Sequence, residues 1–206
     1  MPRRTKEEAE QTRTAVLNSA LDLFYEKGYS RTTFDEIAKR INLTKGAVYW
    51  HFRNKADLLA ELMRIKCNEQ QEKTAIKTEE IQTFADFRAS MLHDVREMQN
   101  NKEFCKFLFF IMYQMEWSEA IFQKISNQIR DIRDFPFDQL KEILTNLQKN
   151  GEIAPDTDIM DTANILMCMW RGVVGEYIGR TRPLDLTHTL LKSFDLIMDG
   201  IRMEKK

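Results

Sequence analysis

Residues 33–55, TFDEIAKRINLTKGAVYWHFRNK, constrain the fold more than any other stretch of this chain. Thr33 with Glu36 three residues on forms a capping box, in which each side chain satisfies a backbone N–H left free at a helix start. Phe34, Ile37, Ala38 and Ile41 then recur at helical spacing. Asn42 tolerates a turn, Leu43 plugs the core, and Thr44 is a good N-cap for a second short helix. With Val48 set inward and about 100° per residue, Phe52 falls on the same inward face. Gly46 and Trp50 point almost directly away from it, flanked by Ala47, Tyr49 and His51. An outward Trp beside a Gly makes a poor solvent face and a good docking face. The plainer alternative is that Trp50 buries against a neighbouring helix.

The flanking signals agree. Upstream, Val16, Leu17, Ala20, Leu21 and Phe24 form a helical stripe that stops at Gly28, a typical C-terminal glycine. Downstream, Asn54 caps a further helix with Asp57 in its first turn, where the helix dipole favours a negative charge. Three helices with a fourth leaving them make a helix-turn-helix module, whose second helix is the one that enters a DNA major groove.

The rest of the chain is also helical. Apolar spacing predicts helices over about 7–27, 33–40, 45–52, 55–73, 82–99, 102–116, 119–149, 158–180 and 186–203. No strand-like alternation, repeat or low-complexity tract interrupts them. Only 4 Pro and 7 Gly among 206 residues argue against a β-rich or disordered chain, and 43% apolar content supplies a core. Pro136 is expected to kink or split the 119–149 segment. The fold class is therefore all-α: an N-terminal three-helix head and a C-terminal helical body, about nine helices together. The expected head is 1–55, with 55–73 as connector helix and 74–206 as body; the weakest apolar patterning lies at 68–80.

Charge is unevenly distributed. Residues 1–55 carry 11 Lys/Arg against 7 Asp/Glu, net +4, whereas the remaining 151 carry 20 against 25, net −5. A dimer would present the basic part twice to a phosphate backbone. Cys67, Cys105 and Cys168 are odd in number and widely spaced, as suits free thiols. The N-terminus has no apolar core of a secretion signal. The longest apolar run, Phe107–Tyr113, falls far short of the ~20 residues that span a bilayer. A cytoplasmic location without membrane association is expected.

The segment TTFDEIAKRINLTKGAVYWHFRNKADLL closely resembles the DNA-binding domain of TetR-family transcriptional regulators. The opening, PRRTKEEAEQTRTAVLNSALDLFYEKGY, and the tryptophan of YWHF extend the resemblance to the AcrR/TtgR-type multidrug-efflux repressor subgroup. The strong likeness covers roughly residues 3–65. It implies a double-stranded DNA operator as one partner.

Geometry and resemblance together assign the DNA-facing residues. Lys45 begins the recognition helix, where a long cation reaches a guanine edge or a phosphate. Gly46 and Ala47 permit close approach, and Ala47 can touch a thymine methyl. Trp50 belongs to the same face. Tyr49 and His51 resemble the family's phosphate contacts, and Lys55 matches its phosphate-binding lysine. Thr33 and Thr44 cap their helices and can also reach phosphates. Arg3, Arg4 and Lys6 suit a basic arm over DNA, although such tails are often merely solvated.

The body holds a second cluster. FCKFLFFIMYQMEW has apolar groups all round a helix, so that helix is expected to be enclosed on several sides. Phe104, Phe107, Phe110, Met112 and Met115, with Met167, Trp170 and Tyr177, suit an adaptable apolar pocket. An ordinary aromatic core is the plainer reading of each. Glu116, if buried, needs a partner that a cationic ligand could supply; otherwise it is a solvated carboxylate at a helix end. The resemblance implies a ligand-sensing body for a small hydrophobic effector, cationic ones included. Arg171 and Glu176 are expected to form structural ion pairs.

Gly172, Gly175 and Gly179 share one helix, which suits close approach by another. Leu190, Leu191, Phe194, Ile197, Met198 and Ile201 stripe the last helix. In the resembled family the last two helices of each subunit build a four-helix dimer interface, so a homodimer on a pseudo-palindrome is expected.

These readings converge on a ligand-responsive repressor, released from its operator by the effector; control of an efflux pump is what the subgroup resemblance implies. An activator or constitutive DNA-binding protein with a filled body shares the fold. An enzyme is poorly supported: His51, His93 and His188 are scattered, with no metal-ligand spacing and no Gly-rich phosphate loop. No catalytic residue, metal or cofactor is expected.

Overall fold

The computed structural model describes residues 6–73, 77–180 and 182–202, with the side chains of 127 and 131–135 outside that description. Arg3 and Arg4 of the expected basic arm also lie outside the described residues; Lys6 opens the first helix and is exposed. The helices are α1 (Lys6–Lys27), α2 (Phe34–Arg40), α3 (Lys45–His51), α4 (Lys55–Gln71), α5 (Phe84–Asn100), α6 (Lys102–Phe109), α7 (Glu119–Lys149), α8 (Ile159–Gly179) and α9 (Leu186–Asp199). A 3-10 turn, Thr78–Glu80, precedes α5, and a π-helical turn, Phe110–Gln114, follows α6. Among the described residues the all-α expectation holds, with one isolated antiparallel bridge between Ile153 and Arg202.

Contacts divide the chain into two compact units that are discontinuous in sequence. The first comprises Met1–Cys67 with Lys106–Arg130; the second comprises Asn68–Cys105 with Asp131–Lys206. The expected head, 1–55, therefore gains most of α4 and the segment 106–130.

In the first unit α1 buries Val16, Leu17, Ala20, Leu21 and Phe24, while α2 buries Phe34, Ile37 and Ala38. Val48 from α3, Phe52 and Leu58, Leu59 and Leu62 from α4 complete this core. Polar ties run through it. Ser19 Oγ, itself buried, donates to the Ile37 carbonyl at 3.1 Å. Glu61 accepts from both Arg13 and Arg64, joining α1 to α4. α1 ends where Gly28 takes φ +84°, the left-handed value that a glycine adopts without Cβ strain.

The segment after α5 departs from expectation. A single α-helix over 102–116 is replaced by α6 and the π-helical turn, and the segment is not enclosed all round. Phe107, Phe110 and Met115 are buried, but Met112, Tyr113 and Trp117 are 40–47% exposed in this chain. The wider π turn rotates its side chains away from α-helical register. Phe110 stacks on Phe24 of α1, with ring centroids 4.9 Å apart.

The second unit packs α5, α7, α8 and α9 around Phe87, Met91, Leu144, Leu147, Ala163, Leu166, Phe194 and Met198. Phe87 meets Phe194 edge-on at 4.9 Å. Arg88 of α5 forms a two-pronged pair with Asp195 of α9. The expected split at Pro136 does not occur: α7 runs uninterrupted from Glu119 to Lys149. One proline removes one backbone hydrogen bond, and a helix of 31 residues keeps the others. Much of the α9 stripe is spent within the chain, since Leu190, Phe194 and Met198 are buried.

Candidate nucleic-acid interface

The chemistry gathers on α2, α3 and the start of α4. Thr33 caps α2 reciprocally: its Oγ1 accepts from the Glu36 N–H at 3.3 Å, and Glu36 Oε2 accepts from the Thr33 N–H at 2.9 Å. Lys27, in the last turn of α1, pairs with the same carboxylate. This cation and the Thr33 donors hold Glu36 well below the usual carboxylate range, at about 2. Asn42 turns the chain with φ +54°, and the Leu43 N–H returns to the Ala38 carbonyl at 2.8 Å. Thr44 then caps α3, accepting from Ala47 N–H at 3.3 Å.

On α3 the expected facing is realised. Val48 and Phe52 are buried, whereas Trp50 is 73% and Tyr49 52% exposed. Burial of Trp50 against a neighbouring helix is thereby ruled out within this chain. Its ring meets His51 edge-on at 4.6 Å. A side chain at Gly46 would meet nothing of the protein closer than Thr44 Oγ1 at 3.8 Å, so the chain's own packing does not require glycine there. Tyr49 rests edge-on against Phe34 at 5.0 Å, and the Lys45 ammonium lies 5.7 Å over the Tyr49 ring.

A concave site of about 250 Å³ opens beside this face, lined by Thr32, Thr33, Phe34, Lys45, Tyr49, Arg53, Asn54 and Lys55. It brings together Thr33, Lys45, Tyr49 and Lys55 from the expected set; Thr44, Gly46, Ala47, Trp50 and His51 lie outside its lining. Hydroxyls, a phenol and cations around an open hollow suit an anionic oxygen cluster. Sequence reading missed Arg53 as a lining residue and saw Asn54 only as a cap. Asn54 Oδ1 does accept from the Asp57 N–H at 2.9 Å. The available signal for Arg53 was an exposed cation immediately after the inward Phe52.

Lys55 is engaged by the chain itself. Its ammonium turns onto the protein and donates to the carbonyls of Tyr29 at 2.7 Å, Ser30 at 3.1 Å and Thr32 at 2.9 Å, lying 4.4 Å over the Tyr29 ring. All three donors of an ammonium are thus engaged, so it is not a free phosphate-seeking cation. Burial pushes its pKa down, against the attraction of Glu116. Burial also lifts the Tyr29 phenol to about 12.

The expected effector residues are divided. Phe107, Phe110, Met112, Met115 and Glu116 fall in the first unit, and Phe104, Met167, Trp170 and Tyr177 in the second. Phe110 is committed to its stack on Phe24, and Trp170 packs on the second unit's core. Glu116 is exposed and accepts from Ser30 Oγ at 2.8 Å, so the premise of a buried carboxylate fails. Glu176 pairs with Arg182 at 3.5 Å. Gly172 is exposed with open space where a Cβ would sit, while Gly175 is buried. All three cysteines are free thiols. Among the described residues no three His, Cys, Asp or Glu side chains gather as a metal site, and no helix is long and apolar enough to cross a membrane.

The family described as bacterial regulatory proteins, tetR family, matches residues 16–62, the stretch from the buried face of α1 to the middle of α4. ArpR of Pseudomonas putida is 25% identical over 208 aligned residues, covering 98% of this chain and 97% of ArpR. The HTH-type transcriptional regulator TtgR of Pseudomonas putida is 49% identical over 63 residues, covering 31% of this chain and 30% of TtgR. Among solved structures, SmeT of Stenotrophomonas maltophilia in complex with triclosan superposes with TM-score 0.77 at 25% identity, covering 94% of this chain and 93% of SmeT. With its capped helix-turn-helix and outward α3 face, the stretch 16–62 is a tetR-family DNA-binding domain, and the chain as a whole is similar to TetR-family transcriptional regulators.

Proposed function

We propose that the protein is an effector-responsive repressor that binds a pseudo-palindromic operator as a homodimer and is released by a small hydrophobic compound. The observation that carries this reading is the outward face of α3, where Trp50, Tyr49 and Lys45 are exposed on a helix whose N-terminus is capped by Thr44. Large exposed aromatics beside an unforced glycine are costly to maintain in water and useful against a groove. Lys45, Gly46, Ala47 and Trp50 face base edges, while Thr33, Thr44, Tyr49, His51 and Arg53 take phosphates. Lys55 supports them from behind.

The effector reading draws on the Met- and aromatic-rich segments and on SmeT, a repressor of a multidrug efflux pump that was solved with triclosan. A small apolar effector and control of an efflux pump follow by likeness. The homodimer reading draws on α8 and α9, where Ile165 and Leu196 leave 54% and 64% of their surface exposed in the single chain. Such side chains want a partner, and a second copy supplies one. An effector acts by favouring a head spacing that mismatches the operator.

The test is a gel shift on promoter DNA beside the protein's own gene, with and without triclosan and a cationic hydrophobic dye. Retardation that either compound reverses supports the full reading. Retardation insensitive to both favours a constitutive DNA-binding protein, and none at all removes the autorepressor.

A further inference from the structure

The loop from Gly28 to Thr32 both feeds the DNA-facing hollow and touches the segment after α6. On one side it delivers Thr32 and Thr33 to the lining of that hollow. Lys55 holds it through the three carbonyls of Tyr29, Ser30 and Thr32. Thr32, almost fully buried, closes the loop on itself by donating to the Gly28 carbonyl at 2.9 Å. On the other side, Ser30 Oγ donates to the Glu116 carboxylate at 2.8 Å. The Gln114 carbonyl sits 3.4 Å from where a Cβ on Gly28 would be, so this backbone too lies against the loop. Both Gln114 and Glu116 come from, or directly follow, the π-helical turn Phe110–Gln114.

We propose that Glu116 is a positioning residue for DNA binding, acting through Ser30 to fix the Gly28–Thr32 loop and with it the phosphate-facing threonines. The proposal rests on the reading of the hollow as a phosphate seat. A loop held from two sides enters the complex already ordered, whereas a loop held by Lys55 alone must be ordered on binding. The same connection makes Glu116 a route by which displacement of the Phe110–Gln114 turn loosens the DNA face. Single π-helical turns frequently occur at functional sites.

Charge and geometry predict opposite outcomes here, which makes the proposal decidable. Removing a carboxylate near DNA should, by electrostatics alone, tighten binding. Glu116→Gln and Glu116→Ala remove the same charge, but only Gln keeps an acceptor for Ser30. The expected result, by fluorescence anisotropy on the promoter duplex that the wild type binds, is a loss of about two- to fivefold for Glu116→Ala and Ser30→Ala. The double variant should lose no more than the larger single, and Glu116→Gln should bind within about twofold of wild type or tighter. Both positions are exposed, so melting temperatures should stay within about 2 °C. Glu116→Ala binding as well as Glu116→Gln overturns the proposal. If the wild type itself binds no duplex, the phosphate-seat reading fails instead. The latch is then judged by hydrogen exchange of the free protein: amides of Gly28–Thr33 should exchange faster in Glu116→Ala and Ser30→Ala than in Glu116→Gln, and equal rates overturn it.

Discussion

The Tyr49 ring stands edge-on to Phe34, centroids 5.0 Å apart, so the aromatic on the exposed side of α3 has one edge in the head's core and its phenol in solvent. Such a contact contributes about 0.5–1.5 kcal/mol. Tyr49→Ala should cost that contact together with the apolar area of a half-exposed ring, on the order of 1–2 kcal/mol in all, while weakening operator binding by on the order of tenfold. Tyr49→Phe should melt like the wild type and still bind DNA more weakly, because only the phenol is lost. Calorimetry with anisotropy on the same samples checks this. Wild-type affinity in both variants would remove Tyr49 from the DNA face.

Lys45 and Lys55 line the same hollow and should behave in opposite ways. Lys55→Met leaves three carbonyls without their ammonium and should cost on the order of 3 kcal/mol in denaturant unfolding. Lys45→Met removes an exposed cation and should leave the unfolding midpoint unchanged. Its effect should appear in the salt dependence of operator binding, where the log–log slope falls by about one. The reverse pattern would exchange their roles.

Glu36 ties the end of α1 to the start of α2, and its pKa of about 2 lies below the ordinary 4.5. A carboxylate whose folded pKa is depressed binds its proton more readily in the unfolded chain, so its contribution is fully present above about 4.5. That contribution is lost as pH falls from there through about 2. Melting temperature should drop across this window. Glu36→Gln should flatten that part of the profile and lower stability at pH 7, because the charge that pairs with Lys27 is gone while the amide oxygen can still accept from the Thr33 N–H. An unchanged acid limb would show that other carboxylates govern it.

Leu196 leaves 64% of its surface exposed on α9 while Leu190, Phe194 and Met198 fill the core beneath. Leu196→Glu should spare the chain's fold, seen in an unchanged circular dichroism spectrum. It should shift sedimentation from dimer to monomer and abolish cooperative operator binding. A variant that remains dimeric places the association surface elsewhere.

Elements with strong local signals were legible from sequence. Thr33, Thr44 and Asn54 cap as their residue types require, and Gly28 adopts the backbone that only glycine takes easily. The inward pair Val48 and Phe52 and the outward Trp50 follow from helical periodicity alone. The orientation of Lys55 was not legible, because its three carbonyl partners lie 23–26 residues away and carry no side-chain signature. The same holds for Glu116, whose partner Ser30 is 86 residues distant. The π-helical turn escaped because a run of apolar residues supports either helical register. Pro136 does not split α7, because it removes one backbone hydrogen bond from a helix of 31 residues.

The return of residues 106–130 to the first compact unit has a consequence for how such proteins diversify. A crossover near residue 67 that joined this DNA reader to a foreign sensor would strand Phe24 without the ring of Phe110 and leave Ser30 facing whatever residue replaced Glu116. Recombination that preserves the fold must exchange two stretches of gene at once. The first compact unit is therefore encoded in two separate stretches, and on the proposed Ser30–Glu116 link drift in the second would retune operator affinity without touching a single residue of α3.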